Sequence, residues 1–272
     1  MNPSPRREDP LALVRRETEG RVATLTLQSP ASRNALSLAM IEALIGEFAA
    51  LGADATVRVV VLAGDGPALS AGHDLKELRA HRNDADRGQA FYERVFGLSA
   101  ELMQRIVALP KPVIAAVEGV ATAAGCQLVA ACDLAIAGDK ARFALPGVDV
   151  GLFCSTPLVA VGRTISRKHA MEMALTGALY GAAEAERFGL VNRVVAAGEA
   201  LVEAQRLAAG IAARSAAILA IGKRAFYRQI ETPLAEAYAL ASRAMVENLA
   251  HPDAGEGIAA FLDKRAPRWE GA

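Results

Sequence analysis

Residues 111–138 read KPVIAAVEGVATAAGCQLVAACDLAIAG, and this stretch constrains the fold more than any other. "KPVIAAVEG" and "DLAIAG" are short, almost wholly apolar runs ending in glycine, the pattern of strands covered on both faces. Between them, Ala123 to Cys132 is predicted to be a short buried helix. Strand, small-residue turn, buried helix and strand in such quick succession require an α/β architecture with helices packed on a sheet. Upstream the grammar is the same. "VRVVVLAG" from Val57 is a continuous β-branched run closed by the turn "GDGP". "RVATLTLQ" alternates apolar and polar residues from Val22 to Leu27, which predicts a half-buried strand. Ser37 is placed to cap a helix over "LAMIEALIGEFAALGAD". The strand and helix units recur at loose intervals without a strict sequence repeat.

Beyond about residue 155 the pattern turns helical. "TPLVAVGRTISRKHAMEMALTG", "GAAEAERFG", "LVEAQRLAAGIAARS", "SAAILAIGKRAFYRQI" and "PLAEAYALASRAMVENLA" favour helix by composition and spacing. The expected organisation is a flexible polar N-terminus over 1–16, an α/β core over 17–205 and a helical subdomain over 206–272, with no low-complexity linker. Of 272 residues, 53% are hydrophobic and 22% charged, enough for a sizeable core. Thirty basic residues balance thirty acidic ones, so neither nucleic acid nor an anionic membrane is implied as a partner. An anionic ligand must be met by a local cluster.

No apolar run reaches membrane-spanning length, and the first residues lack the apolar centre of a secretory signal. Acidic residues and prolines there argue against an import sequence. Three cysteines, Cys126, Cys132 and Cys154, form no CxxC pair, and the four histidines are scattered without ligand spacing. Neither a disulfide framework nor a metal site is expected, and a reducing, cytoplasmic setting is the default. GxGxxG, Walker, HExxH and GxSxG motifs are absent, which sets aside dinucleotide, ATP, zinc-protease and serine-hydrolase chemistry as first choices.

Two small-residue turns follow two of the strands: "LAGDGPALSAGHDLKEL" and "VEGVATAAGCQL". Ala and Gly just before a helix let backbone amides approach a ligand and point along the helix start. A pair of such amides makes an oxyanion hole. Tight helix–strand packing asks for the same residues, so each turn alone has two readings.

Together, in this order, the turns resemble the crotonase, or enoyl-CoA hydratase/isomerase, superfamily. The resemblance runs from about Val22 to Lys264 and is carried by "RNALS", "SAGHDLKEL", "VEGVATAAGCQLVAACDLAIA", "FALPGVDVGL", "TGALYGAAEAERFGLVNRVV" and "AFLDKRAP". It implies a crotonase-like spiral of ββα turns with a C-terminal helical subdomain used for trimerisation. Homotrimers, or dimers of trimers, are expected. So is an acyl-CoA thioester substrate, with coenzyme A entering as part of that substrate and no tightly bound cofactor. Its carbonyl oxygen is expected between the backbone amides of His73 and Ala124, the latter at a place usually held by the middle glycine of a GGG run. Backbone around Ala35, Ala71, His73, Asp74 and Leu75 is implied along the adenine and pantetheine path. Lys76, Phe261 and Lys264 are implied near the CoA phosphates, the last two from a neighbouring subunit. For a lone lysine, solvation is the competing explanation.

Family hydratases use two glutamates, one to deprotonate water and one to deliver a proton. At those positions this chain has Gln127 and Gly147, and neither can carry a proton at neutral pH. Ser155 stands where some relatives keep an aspartate. A positioned acid or base is worth about 10²–10⁴ in rate, so ordinary hydration is expected to be weak. Asp149 lies two residues beyond Gly147, and in an extended segment it would face the same side. This makes it the tentative substitute. The His73 ring is expected to point outward, and Cys126 and Cys154 to be small buried thiols. The expected class is a lyase or isomerase acting on CoA thioesters through enolate stabilisation. The alternatives are a malonyl-type decarboxylase and a non-catalytic acyl-CoA binder. The expected compartment is the cytoplasm, or the mitochondrial matrix in a eukaryote.

Overall fold

The computed structural model describes residues 13–270. A hairpin of β1 (Val14–Glu19) and β2 (Val22–Leu27) leads into α1 (Leu38–Ala53). Three similar turns follow: β3 (Val59–Gly64), β4 (Ala68–Ser70), α2 (Leu75–His81) and α3 (Gln89–Ala108); β5 (Val113–Val117), β6 (Val120–Thr122) and α4 (Ala124–Ala131); β7 (Leu134–Gly138), β8 (Arg142–Ala144), α5 (Ser155–Thr164) and α6 (Arg167–Thr176). The core closes with β9 (Tyr180–Gly181), α7 (Ala182–Phe188), β10 (Arg193–Val195) and α8 (Ala200–Ala212). The tail consists of α9 (Ala216–Gln229), α10 (Leu234–Ala250) and α11 (Pro252–Leu262).

Each of these three turns gives its first strand to a sheet ordered β1-β2-β3-β5-β7-β10 and its second to a smaller sheet ordered β4-β6-β8-β9, which the first hairpin and the closing β10 and β9 complete. Strands from successive turns pair in parallel, so the chain winds as a ββα spiral. Gly119, at φ +65°, makes the bend between β5 and β6, where a Cβ would collide with the Pro67 carbonyl of the preceding turn. The core lies between the two sheets and under α1, α3 and α4, filled by Leu25, Phe48, Leu62, Leu102 and Phe143. On the opposite face of the larger sheet, α8 presents Ala200, Ala204, Ala208 and Ala212 to Val59, Val61, Ile114 and Ile136. This four-residue spacing forms a single apolar stripe.

Several sequence expectations change here. Residues 22–27 are buried throughout, Thr24 and Thr26 included. Apolar–polar alternation suggested one wet face, but β2 is an interior strand between β1 and β3, and Gln205 of α8 covers it by donating to Thr24 Oγ1 at 3.3 Å. Strand β1 crosses the boundary at residue 16, while residues 1–12 of the expected flexible terminus lie outside the described residues. The boundary at 205 falls inside α8, which belongs to the sheet. The long helical stretch after 155 is two helices, broken at Ile165–Ser166, with Ser166 capping the second through His169 N–H. The helices at Ser37 and Ala123–Cys132 match closely: Ser37 Oγ accepts from Met40 N–H, and α4 occupies 124–131.

The tail is tied back through one buried cation. Lys223 Nζ on α9 donates to Asp133 Oδ2 at 2.7 Å and to the carbonyls of Ile106 and Lys111 at 3.0 Å. Tyr227 donates to Asp133 Oδ1 at 3.0 Å. Burial pulls the Lys223 pKa down, and the adjacent Asp133 opposes that. Among the described residues, no single helix is long and apolar enough to cross a membrane.

Candidate active site

The two small-residue turns meet. After β4, Ala71 N–H donates to Arg33 O at 2.9 Å, and Gly72 O accepts from Leu36 N–H at 2.7 Å. These bonds fix the backbone immediately before His73. Gly72 has φ +90°, and a Cβ there would lie 2.9 Å from Ala123 Cβ, 3.0 Å from Thr122 O and 3.2 Å from Ala124 N. Thr122 Oγ1 donates to Ala71 O at 3.2 Å across the same junction. A Cβ at Gly125 would collide with the Ser70 carbonyl. The sequence therefore needs glycine at 72 and 125 so that the backbone before His73 can sit against the start of α4.

Ala124 is the first residue of α4, where backbone donors have no intrahelical partner. Ala123, just before it, has φ 50° and ψ −119°. Glycine adopts that region freely, whereas an L-residue pays about 1–3 kcal/mol in strain. The conformation aims the Ala123–Ala124 peptide. Among the described residues, neither His73 N–H nor Ala124 N–H has a protein acceptor. Both stand at the head of a cavity of about 400 Å³, whose near wall includes Ala71, His73, Leu75, Ala123 and Ala124. Two adjacent unpaired donors at an apolar cavity are suited to a carbonyl oxygen that gains negative charge.

Neither expected place carries an acid or base, and of the two only Gly147, on the far wall, lines the cavity. Gln127, on the same face of α4 one turn beyond Ala124, is 4% exposed, and its Oε1 has no partner among the described residues. Gly147 lies in a 3₁₀ turn over Pro146–Val150. A Cβ there would come within 3.0 Å of Cys154 Sγ, 3.1 Å of Cys154 N and 3.2 Å of Leu152 O. The following segment is folded back over it, with Leu152 N–H donating to Gly147 O at 2.9 Å. A glutamate beginning there would push against these neighbours by a few tenths of an ångström. Burial pushes the Cys154 thiol up, against a lowering hydrogen bond from Gly147 N–H. It pushes Cys126 up to about 12. Both thiols stay protonated at neutral pH.

Two expectations are corrected. The His73 ring turns inward: it lines the cavity, meets Phe96 edge-on at 5.1 Å, and has Nε2 buried without a partner among the described residues. Its desolvation outweighs a long contact from Nδ1 to Leu36 O and holds the pKa below the usual imidazole value. Asp149 does reach the cavity wall, but from the 3₁₀ turn rather than from extended backbone. Its exposed carboxylate lies beside Gly177, where a Cβ would be 3.0 Å from Oδ2.

The remaining residues divide between cavity and support. Leu75 is at the mouth. Asp74 caps α2, its Oδ1 accepting from Lys76 N–H at 2.8 Å and Glu77 N–H at 3.2 Å. Ala35 lies beside Leu36, which bridges to His73, and is not in the cavity wall. Lys76 is exposed, and Ser155 starts α5 facing outward. Phe261, 82% exposed, and Lys264 lie at the end of α11, away from this cavity in a single chain. Sequence reasoning missed Ala123, for which the only signal was its place before a helix, and it missed Phe96. That ring separates the cavity from an outer one of about 550 Å³ lined by Asp86, Arg87, Gln89, Tyr92 and Glu93.

Comparison with known proteins gives the family. The family model described as enoyl-CoA hydratase/isomerase matches residues 17–272. Rat enoyl-CoA hydratase domain-containing protein 3, mitochondrial, is 45% identical over 261 residues, covering 96% of this chain and 85% of the relative. The crystal structure of its human counterpart superposes with a TM-score of 0.90 at 44% identity, covering 94% of this chain and 100% of that one. An enoyl-CoA hydratase from Mycobacterium smegmatis also reaches 0.90, at 49% identity, covering 95% and 99%.

Proposed function

The chain belongs to the enoyl-CoA hydratase/isomerase family of enzymes, and from that premise we propose that it binds an acyl-CoA thioester and stabilises its enolate with the amides of His73 and Ala124. The observation that carries this is the pair of adjacent donors, unpaired within the chain, at the head of an apolar cavity. With the carbonyl oxygen between them, negative charge developing on that oxygen meets two preorganised dipoles at the head of an apolar cavity. Each such donor typically contributes about 2.7–4 kcal/mol to the transition state. Both amides come from backbone fixed by glycine contacts, so little reorganisation accompanies the reaction.

Proton transfer is the weak step. Gln127 and Gly147 supply no exchangeable charge, and a side chain at 147 would press on Cys154 and Leu152. Hydration of a simple enoyl thioester is therefore slow. Asp149 is the carboxylate nearest this task. The same observation favours a second reading. Loss of CO₂ from a malonyl-type thioester produces the enolate without any base, so the two amides suffice. The CoA moiety runs past Ala71 and Leu75 toward Ala35 and Lys76. Phe261 and Lys264 reach it from a neighbouring subunit. A homotrimer is supported by the exposed apolar residues of the tail, Leu234, Tyr238, Val246 and Leu249 among them. We place the protein in the cytoplasm or, as in the named mitochondrial relatives, the matrix.

Calorimetry with butyryl-CoA and with S-butyl-CoA, which lacks the carbonyl, tests the central reading. The thioester binds about tenfold more tightly if two hydrogen bonds of ordinary strength are made. Equal affinity removes the oxyanion hole from the account. Crotonyl-CoA hydration at about 10 s⁻¹ or more removes the claim that hydration is weak.

A further inference from the structure

Ala123 holds a backbone conformation that glycine adopts without strain, yet the residue is alanine. Of the five non-glycine residues with positive φ among those described, Ala123 alone lines the cavity. Its methyl lies against the Gly72 turn, at the junction between the donor-bearing segments, since a Cβ on Gly72 would fall 2.9 Å from it. At a position of positive φ, exchanging glycine for alanine lowers stability, because backbone strain exceeds the gain from a stiffer unfolded chain. The methyl is a standing cost to the fold, set beside the two amides.

We propose that Ala123 determines specificity: its methyl excludes thioesters that carry a branch on the α-carbon. This rests on the acyl-CoA reading given above. A carbonyl oxygen held by His73 and Ala124 sits beside the residue preceding Ala124, so its carbon comes into van der Waals range of the Ala123 methyl. That carbon has two other neighbours. One is the sulfur, whose pantetheine substituent is common to every substrate. The other is the α-carbon, which alone varies. The site takes acyl groups with a CH₂ at that position and rejects those with an α-methyl.

The test compares butyryl-CoA with isobutyryl-CoA, equal in carbon number and differing in the α-branch, by calorimetry on the full-length wild type, Ala123→Gly and Ala123→Ser. A single methyl in a fitted pocket discriminates by about 10- to 200-fold. The wild type is therefore expected to prefer butyryl-CoA by about tenfold or more. Ala123→Gly should lose most of that preference by gaining isobutyryl-CoA, while its Tm rises by about 2 °C or more. Ala123→Ser keeps an atom in the methyl's place and keeps the wild-type ratio. A ratio within about twofold of wild type in Ala123→Gly, with butyryl-CoA still bound, overturns the inference alone. So does a fall in Tm, or loss of the preference in Ala123→Ser. If neither thioester binds the wild type, the acyl-CoA reading fails first and this inference falls with it.

Discussion

The two walls of the cavity are built by opposite means. On the donor wall, the junction between segments is made by small residues: Gly72, Ala123, Ala124 and Gly125 let two stretches of backbone touch, and the chain tolerates a strained residue to aim one peptide. On the opposite wall, side chains and carbonyls close in: Cys154 and Leu152 fill the space around Gly147, and the thiol there stays protonated. Here the donor wall brings two backbone segments together, while on the opposite wall a Cβ at 147 would press on Cys154 and Leu152 at 3.0–3.2 Å.

The largest effect should come from breaking the donor wall. Gly72→Ala adds a Cβ at φ +90° and within 2.9 Å of Ala123 Cβ. Displacing one donor costs about 10²–10³-fold in any turnover that depends on it, with a lowered Tm from overpacking. Unchanged turnover would mean that the two turns are not coupled as described. A smaller effect is expected at the cavity's outer boundary. Phe96→Ala opens a passage toward the outer cavity and should shift preference from butyryl-CoA toward octanoyl-CoA by about tenfold. An unchanged ratio would show that chain length is set elsewhere.

How far the sequence announced these two walls differs in the same way. Small residues before a helix, as in "ATAAGCQ", are a local pattern, and local backbone follows from them: α4 starts one residue from its predicted position. Gln127 and Gly147 could likewise be recognised as non-acids from residue type alone. What Gly147 touches could not, because Cys154 and Leu152 reach it only through the 3₁₀ turn that folds their segment back. The inward His73 ring was hidden for a related reason. Its orientation is set by Phe96 on α3, a contact between distant parts of the chain. The short strands β4, β6 and β8 carry too few residues to show a period, so the second sheet was visible only through family resemblance.

The tight packing at Gly147 makes a sharper prediction than the missing acids alone. If hydration were limited only by residue identity, Gln127→Glu combined with Gly147→Glu would raise crotonyl-CoA hydration by about 10²–10⁴-fold. The packing of Cys154 and Leu152 around Gly147 instead predicts a gain of less than about tenfold, together with a lower Tm. A gain in the higher range, read in a spectrophotometric hydration assay, would show that the wall yields.

The smallest expected effect concerns His73 and stability rather than rate. Desolvation lowers its pKa in the folded chain, whereas in the unfolded chain it titrates near about 6.5. Below that pH the unfolded state takes up the proton first, so stability falls with decreasing pH until the depressed folded pKa is passed. Above it both states are neutral and His73 contributes no slope. His73→Phe keeps the backbone amide and an aromatic ring against Phe96 but removes the titration. Its Tm should therefore fall less than that of the wild type between pH 7.5 and pH 5.5, by a few degrees at most, while butyryl-CoA affinity at pH 7.5 is retained. Equal acid sensitivity in the two proteins would place the imidazole in water, on the outward face that the sequence first suggested.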